Sequence, residues 1–400
     1  MPSSALNRIS IIYSRILYYH FLPLGVQILI AGGDIDISNY YERIREYSRI
    51  SADLPSSAYI LEAHFHRDTY QIIEISYLDL PKMPIDLGIC EDLFGCICDG
   101  RVVFGLGAYY TKDVFELTRG NRWKMLPNRK ILRYLSASCY MKNHLFVTGG
   151  SKFVEIPNTP PLGCVGECEM EPSEGFDTIE MLEISAHHTG SSWKICSSKL
   201  PFRVDGHNVV AFNNQLLLIG GKHWPAPSMD RVVDGRNNPF EFEDSNENSN
   251  EVWVGNFEDE SNDCEIQNES RIVWSKLNSM NYPRSCHFSF VIDGKVYVVG
   301  GQIDDMLHTE PYADDSGRCV VEIFDGENWE IGPEFPCKID SLYFFAGLDD
   351  QKRIFIFSKK VDFFDHDIGI IVYNTQTGVM SVTGKLKMKD DRGSFASFFL

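Results

Sequence analysis

The sequence predicts an all-β propeller of six four-stranded antiparallel blades. Three observations predict it. Apolar runs that end in a glycine pair recur along the chain. Each is followed by another apolar strand, a polar turn and a bulky residue that opens one strand more. The apolar period is two throughout, with no sustained helical period.

The clearest copy is Pro283 to Gly301, PRSCHFSFVIDGKVYVVGG. Cys286, Phe288 and Phe290 alternate, Asp293-Gly294 supplies a tight turn, and Val296 to Val299 leads into Gly300-Gly301. Two period-2 runs joined by Asp-Gly are a strong hairpin signal. The glycine pair recurs at Gly32-Gly33 after VQILIA, at Gly149-Gly150 after HLFVT and at Gly220-Gly221 after QLLLI. Gly105-Leu106-Gly107 is a weaker copy, and the run Arg353 to Phe357 has lost its glycines. The second signal reads Phe65 to Tyr70, Leu117 to Trp123, Ile184 to Trp193, Phe257 to Trp274, Phe324 to Trp329 and Tyr373 to Val379.

Each unit is therefore a hairpin followed by a hairpin. A lone four-stranded sheet cannot bury both faces, whereas sheets set radially cover one another. The predicted blades are 15–82, 83–131, 132–200, 201–280, 281–336 and 337–390, with 1–14 an extension and 391–400 a possible closing strand. The tail from Arg392, RGSFASFFL, resembles the first strand of a blade and can pair beside Gln27 to Ala31. Arg15 to Leu22 competes for that place. An apolar edge left unpaired there would invite aggregation. Ser38 to Ile50 is the one candidate for a short helix. The insertions Ile156 to Phe176 and Trp224 to Asn250, and the acidic turn Glu258 to Glu269, read as mobile loops.

Composition narrows the function. The 400 residues are 44% hydrophobic and 23% charged, with a formal net charge of -19. Phosphate backbones attract basic surfaces, so this balance argues against nucleic acid and favours partners with a basic patch. Eleven cysteines without pairing rhythm, several of them inside strands (Cys96, Cys98, Cys286), indicate a reducing, cytoplasmic compartment. The single glycosylation sequon, Asn268-Glu269-Ser270, weighs little against this. The first 33 residues lack acids and carry Arg8 and Arg15, as a targeting peptide would, but Arg15 to Leu22 also reads as a strand. His20 and Pro23 interrupt the apolar segment, which falls short of the roughly 20 residues that a spanning helix needs. No membrane segment is expected.

The apolar run, glycine pair, aromatic and Trp pattern resembles the kelch repeat over nearly the whole chain. The resemblance implies a β-propeller whose glycines adopt backbone conformations closed to other residues, and whose Trp residues pack between neighbouring blades. Blades two and six depart from it by losing the glycine pair, and Val379 stands where Trp is usual. Kelch propellers often follow a BTB domain that recruits a ubiquitin ligase. Nothing here resembles one, so the resemblance leaves open a substrate-recruiting adaptor or a cytoskeletal, actin-linked scaffold.

The arginines form the most suggestive pattern. Arg15, Arg133, Arg203 and Arg284 each precede the first glycine of a pair by 16 or 17 residues, which places them at the mouth of the innermost strand of their blades; blades two and six lack the arginine, so the ring is incomplete. Arg392 joins them if the tail closes the ring. One reading bonds these guanidinium groups to loop carbonyls. The other turns them, with Tyr282 and His207, toward an acidic or polar motif on a protein partner, which arginine binds bidentately.

Metal readings fail on spacing. Cys164 and Cys168 have no second Cys/His pair, His64 and His66 merely share a strand face, and Asp34 to Ser38 lacks the glycine and glutamate of a calcium loop. Cys90, Cys96 and Cys98 read as strand packing. No nucleophile elbow, phosphate loop or dinucleotide fingerprint is present, so neither a cofactor nor a catalytic residue is assigned. The copper-radical oxidase branch of kelch-type propellers would need a Tyr/His copper set that does not map onto this chain. The expected function is a non-catalytic protein-binding module. The alternative is a sugar-acid isomerase resembling the sialic-acid mutarotase branch of kelch-type propellers.

Overall fold

A computed structural model describes residues 24–31, 58–66, 72–83, 93–99, 101–106, 112–118, 120–155, 170–185, 189–190, 192–225, 247–258, 270–303, 320–333, 345–348, 353–359, 368–386 and 396–399. The fold is an all-β propeller, with no helix among the described residues. Five four-stranded antiparallel sheets each come from one stretch of chain. The second sheet comprises Leu93–Cys98, Arg101–Leu106, Val114–Leu117 and Trp123–Leu126. The third comprises Ala137–Met141, His144–Thr148, Ile179–Glu183 and Lys194–Ile195. The fourth comprises Asn208–Phe212, Gln215–Ile219, Val252–Glu258 and Arg271–Lys276. The fifth comprises Phe288–Ile292, Lys295–Val299, Val321–Phe324 and Trp329–Ile331, and the sixth Phe345–Leu348, Arg353–Lys359, Ile368–Asn374 and Met380–Leu386.

The first sheet is composite. Ala396–Phe399 pairs antiparallel with Leu24–Ala31, which pairs in turn with Ala58–Phe65 and then Ile72–Asp79. The expectation of six blades is thus corrected: five blades are contiguous in sequence, and the remaining sheet joins both ends of the chain. The first strands of neighbouring sheets touch in cyclic order, from Ala396–Phe399 through the five others and back. Arg15, the rival strand Arg15 to Leu22, Arg392, the helix candidate Ser38 to Ile50 and the Asp34 to Ser38 loop lie outside the described residues. So do Cys90, Cys164, Cys168 and most of each long insertion.

Inner strands such as Val114–Leu117 and His144–Thr148 are buried at every position, so their sheets bury both faces and the core lies between sheets. Ala58 and Ile60 of the first sheet meet Val102, Phe104 and Phe115 of the second. Equivalent layers join sheets two and three, three and four, four and five, and five and six. Each fully buried aliphatic or aromatic side chain contributes about 1.5–3 kcal/mol. Three tryptophans fasten these layers by their polar edge. Trp123, Trp193 and Trp329 donate their indole N–H to the carbonyls of Pro81 (2.7 Å), Pro127 (2.8 Å) and Asn278 (2.9 Å), each just after the last strand of the preceding sheet.

The glycine pairs are corners. Gly300 and Gly301 have φ of 68° and 89°, in the left-handed region. Beyond the corner the chain pairs with the segment that leads into the first strand: Arg284–Ser285 with Gln302–Ile303, and Arg203–Asp205 with Lys222–Trp224. The third sheet keeps a single bridge, Tyr134 to Ser151. A Cβ on Gly301 would lie 2.5 Å from the Ser285 carbonyl oxygen, so both backbone angle and space demand glycine.

Candidate functional site

The corners hold the arginines, and they fall into two kinds. Arg133 and Arg284 are interior. Arg133 donates to the carbonyls of Gly149 (2.7 Å) and Thr178 (2.9 Å) and to Oε2 of Glu180 (3.0 Å), and both charged side chains are 0% exposed. Arg284 repeats the arrangement with Gly300 (3.0 Å), Val320 (2.9 Å) and Oε1 of Glu322 (2.7 Å), again at 0% exposure for both. The carboxylates also gather the loops that enter their own sheets. Glu180 accepts from the backbone N–H of Lys130 and Ile131, and Glu322 from those of Asn281 and Tyr282. The expectation that these two guanidinium groups face a partner is therefore corrected. A buried arginine needs a paired charge and satisfied carbonyls, and here its own sheet supplies them all.

Arg203 differs. Its side chain is 25% exposed and pairs at 3.1 Å with Glu174, itself 47% exposed, on the hairpin Ser151–Glu155 with Met170–Gly175. The cause is a shift of one residue: Val204, fully buried, accepts from the Gly150 N–H with its carbonyl as Arg284 does from the Gly221 N–H, so Val204 and not Arg203 holds the position of Arg133 and Arg284. Glu180 pairs with Val147 and Glu322 with Val298, each two residues before a glycine pair, but in the fourth sheet the residue opposite Leu218 is Trp253. Apolar Val204 needs no internal carboxylate, and Arg203, one residue earlier on the same segment, points to the opposite face and outward. The signal lies in the sequence, but only the strand register exposes it.

Tyr282 is half-buried, its backbone N–H held by Glu322 and its ring 6.0 Å from the Arg284 guanidinium carbon. Phe176 stands at 5.5 Å from Arg133 in the same way. His207 is not at the surface. It is buried between the third and fourth sheets, with Nε2 2.8 Å from the Thr148 hydroxyl and its ring against Gly149. Burial, then the Arg133 charge, pulls its pKa down to about 3. Its proposed surface role is corrected accordingly: the ring fills the space that Gly149 leaves. His287 stands at the same spacing before Gly300 as His207 before Gly220, so the repeat marks it although it is not among the expected site residues. Its ring lies against Gly220, where Ile219 replaces the threonine that serves His207. Burial first, then Arg284 and His207, holds it well below the usual histidine range.

Among the described residues no group of three or more His, Cys, Asp or Glu is arranged to hold a metal, and no helix is long and apolar enough to cross a membrane. His64 instead approaches Glu62 at 3.5 Å.

Kelch-like proteins are similar to this chain in sequence. Kelch-like protein 41a of Danio rerio is 24% identical over 213 residues, 53% of this chain and 25% of that protein. Kelch-like protein 15 of Homo sapiens is 23% identical over 267 residues, 64% of this chain and 37% of that protein. The chain is weakly homologous to the kelch-like proteins. It spans between a quarter and two fifths of the length of these kelch-like relatives. No family model matches. Among solved structures, "Structure of YjhT" superposes with a TM-score of 0.45 at 16% identity, covering 69% of this chain and 74% of that one.

Proposed function

We propose that this chain is a protein-interaction module that holds a partner on the face formed by its glycine corners, with Arg203 and Tyr282 as contacts. In this reading the composite first sheet also counts as a blade, and the blades follow the boundaries drawn from the repeats. The observation that carries it is the contrast between arginines: Arg133 and Arg284 are consumed by Glu180 and Glu322, while Arg203 reaches the surface. Rigid sheets would then hold variable loops in fixed relation around a part-exposed guanidinium whose pair with Glu174 an acidic side chain of the partner could replace. The kelch-like relatives favour binding over chemistry, as adaptor or scaffold, and the five free cysteines among the described residues suit a reducing compartment.

The test is affinity recovery with tagged protein, comparing wild type with Arg203→Ala, Tyr282→Ala and a distant control, Lys142→Ala. Partners lost from the first two and kept by the control support the reading. Partners unchanged in all three sink it. Interconversion of sialic-acid anomers by purified protein faster than in buffer would instead favour the sugar-acid isomerase.

A further inference from the structure

Cys96 and Cys98 are alternate residues of the strand Leu93–Cys98, so their side chains share one face of the second sheet. Their Sγ atoms lie 3.4 Å apart. Cys98 is fully buried against Leu145, Val147 and Trp193 of the third sheet, and Cys96 is half-buried at the margin of that layer. Ser138 ties the two inner strands together by donating to the Gly95 carbonyl at 3.1 Å. Cys139, also buried, follows it. The contact with Cys98, then burial, pushes the Cys96 thiol above its ordinary range, and burial pushes Cys139 up as well. The site is therefore a preformed, uncharged dithiol.

Its geometry selects what it can hold. A disulfide needs sulfurs about 2.05 Å apart, so oxidation would require these two to close by more than an ångström. A single atom bonded to both at about 2.3 Å, the length of a thiolate bond to a soft centre, spans about 3.4–3.8 Å at bond angles of about 95–109°. That matches the separation present. The apolar wall opposes any adduct with net charge. A divalent metal would need further ligands, and the described residues offer no group of three. What remains is a soft trivalent centre carrying its own organic group.

We propose that Cys96 and Cys98 form a binding site for trivalent organoarsenicals, compounds of the arsine-oxide class. Two S–H bonds and the arsenic–oxygen bonds break, two As–S bonds form, and the oxygen leaves with both protons as water. Arsenic stays trivalent, nothing is oxidised, and the adduct is neutral. Because both protons leave in water, no thiolate has to be buried.

The probe is phenylarsine oxide, added to the full chain and followed by native mass spectrometry and peptide mapping. The expected result is one equivalent that survives a monothiol wash, leaves with 2,3-dimercaptopropanol and maps to Cys96 and Cys98. Cys96→Ser and Cys98→Ser should each lose that equivalent, and Cys139→Ser should keep it. An unchanged count in both variants, or wild-type mapping to other cysteines only, would overturn the proposal. The wild-type map decides the matter even if a variant fails to fold.

Discussion

Trp253 stands in the fourth sheet at the ladder position that Glu322 holds in the fifth: one pairs with Leu218, the other with Val298, each two residues before a glycine pair. Val204 correspondingly stands where Arg284 stands, so an apolar residue and an indole take the place of the buried ion pair, and Arg203, one residue earlier, faces outward.

Removing the buried carboxylate should be costly. Glu322→Ala leaves Arg284 buried beside carbonyls with no counter-charge and releases the Asn281–Tyr282 loop. An uncompensated buried charge costs about 3–5 kcal/mol. Arg203→Ala breaks an exposed pair and should change stability by less than about 1 kcal/mol. Urea denaturation of the two variants beside wild type measures the contrast.

The corners should not tolerate a methyl group. Gly301→Ala forces a side chain into a left-handed φ of 89° and places Cβ 2.5 Å from a backbone oxygen. Gly294→Ala, in the hairpin turn, shares the positive φ but meets no atom within 4 Å. We expect a loss of about 1 kcal/mol at Gly294 and clearly more at Gly301, read as a shift in denaturation midpoint.

The buried histidines predict loss of stability in mild acid. His207 is neutral in the fold, its pKa lowered to about 3, and His287 is lowered too, whereas in the unfolded chain both protonate below about 6.5. The unfolded state then binds more protons, so stability present at neutral pH declines as pH falls through 6.5 toward the folded value. The slope is at most about 1.4 kcal/mol per pH unit for each histidine. His207→Gln should flatten the dependence of the urea midpoint between pH 7 and pH 5, and an unaltered slope would refute the assignment.

The indole contacts should matter more than the apolar end of the series. Trp193→Phe keeps most of the packing but deprives the Pro127 carbonyl of its donor, a loss of about 1–3 kcal/mol. Val379, where the repeat pattern expects Trp, is 60% exposed, and Val379→Ala should fall within about 0.5 kcal/mol of wild type. Thermal unfolding of both variants checks this.

Much was legible in the sequence because strand period and turn chemistry are local. The alternation before Asp293-Gly294, the glycine pairs and the Trp positions each follow from a few neighbouring residues, and together they determine an all-β propeller of repeated hairpins. The arginine spacing was legible as well, but its meaning was not. Arg133 and Arg284 take the inward face of the segment before the first strand, whereas Arg203 lies one residue out of that register and takes the outward face, and the pairing across the glycine corner shows this. Likewise His207 reads as a surface neighbour of Arg203, yet in the structure its ring fills the space beside Gly149 of the preceding sheet. Only the tertiary structure could decide these points, because a charge is exposed or satisfied by residues that share an inter-sheet layer, and that layer joins segments far apart in the chain.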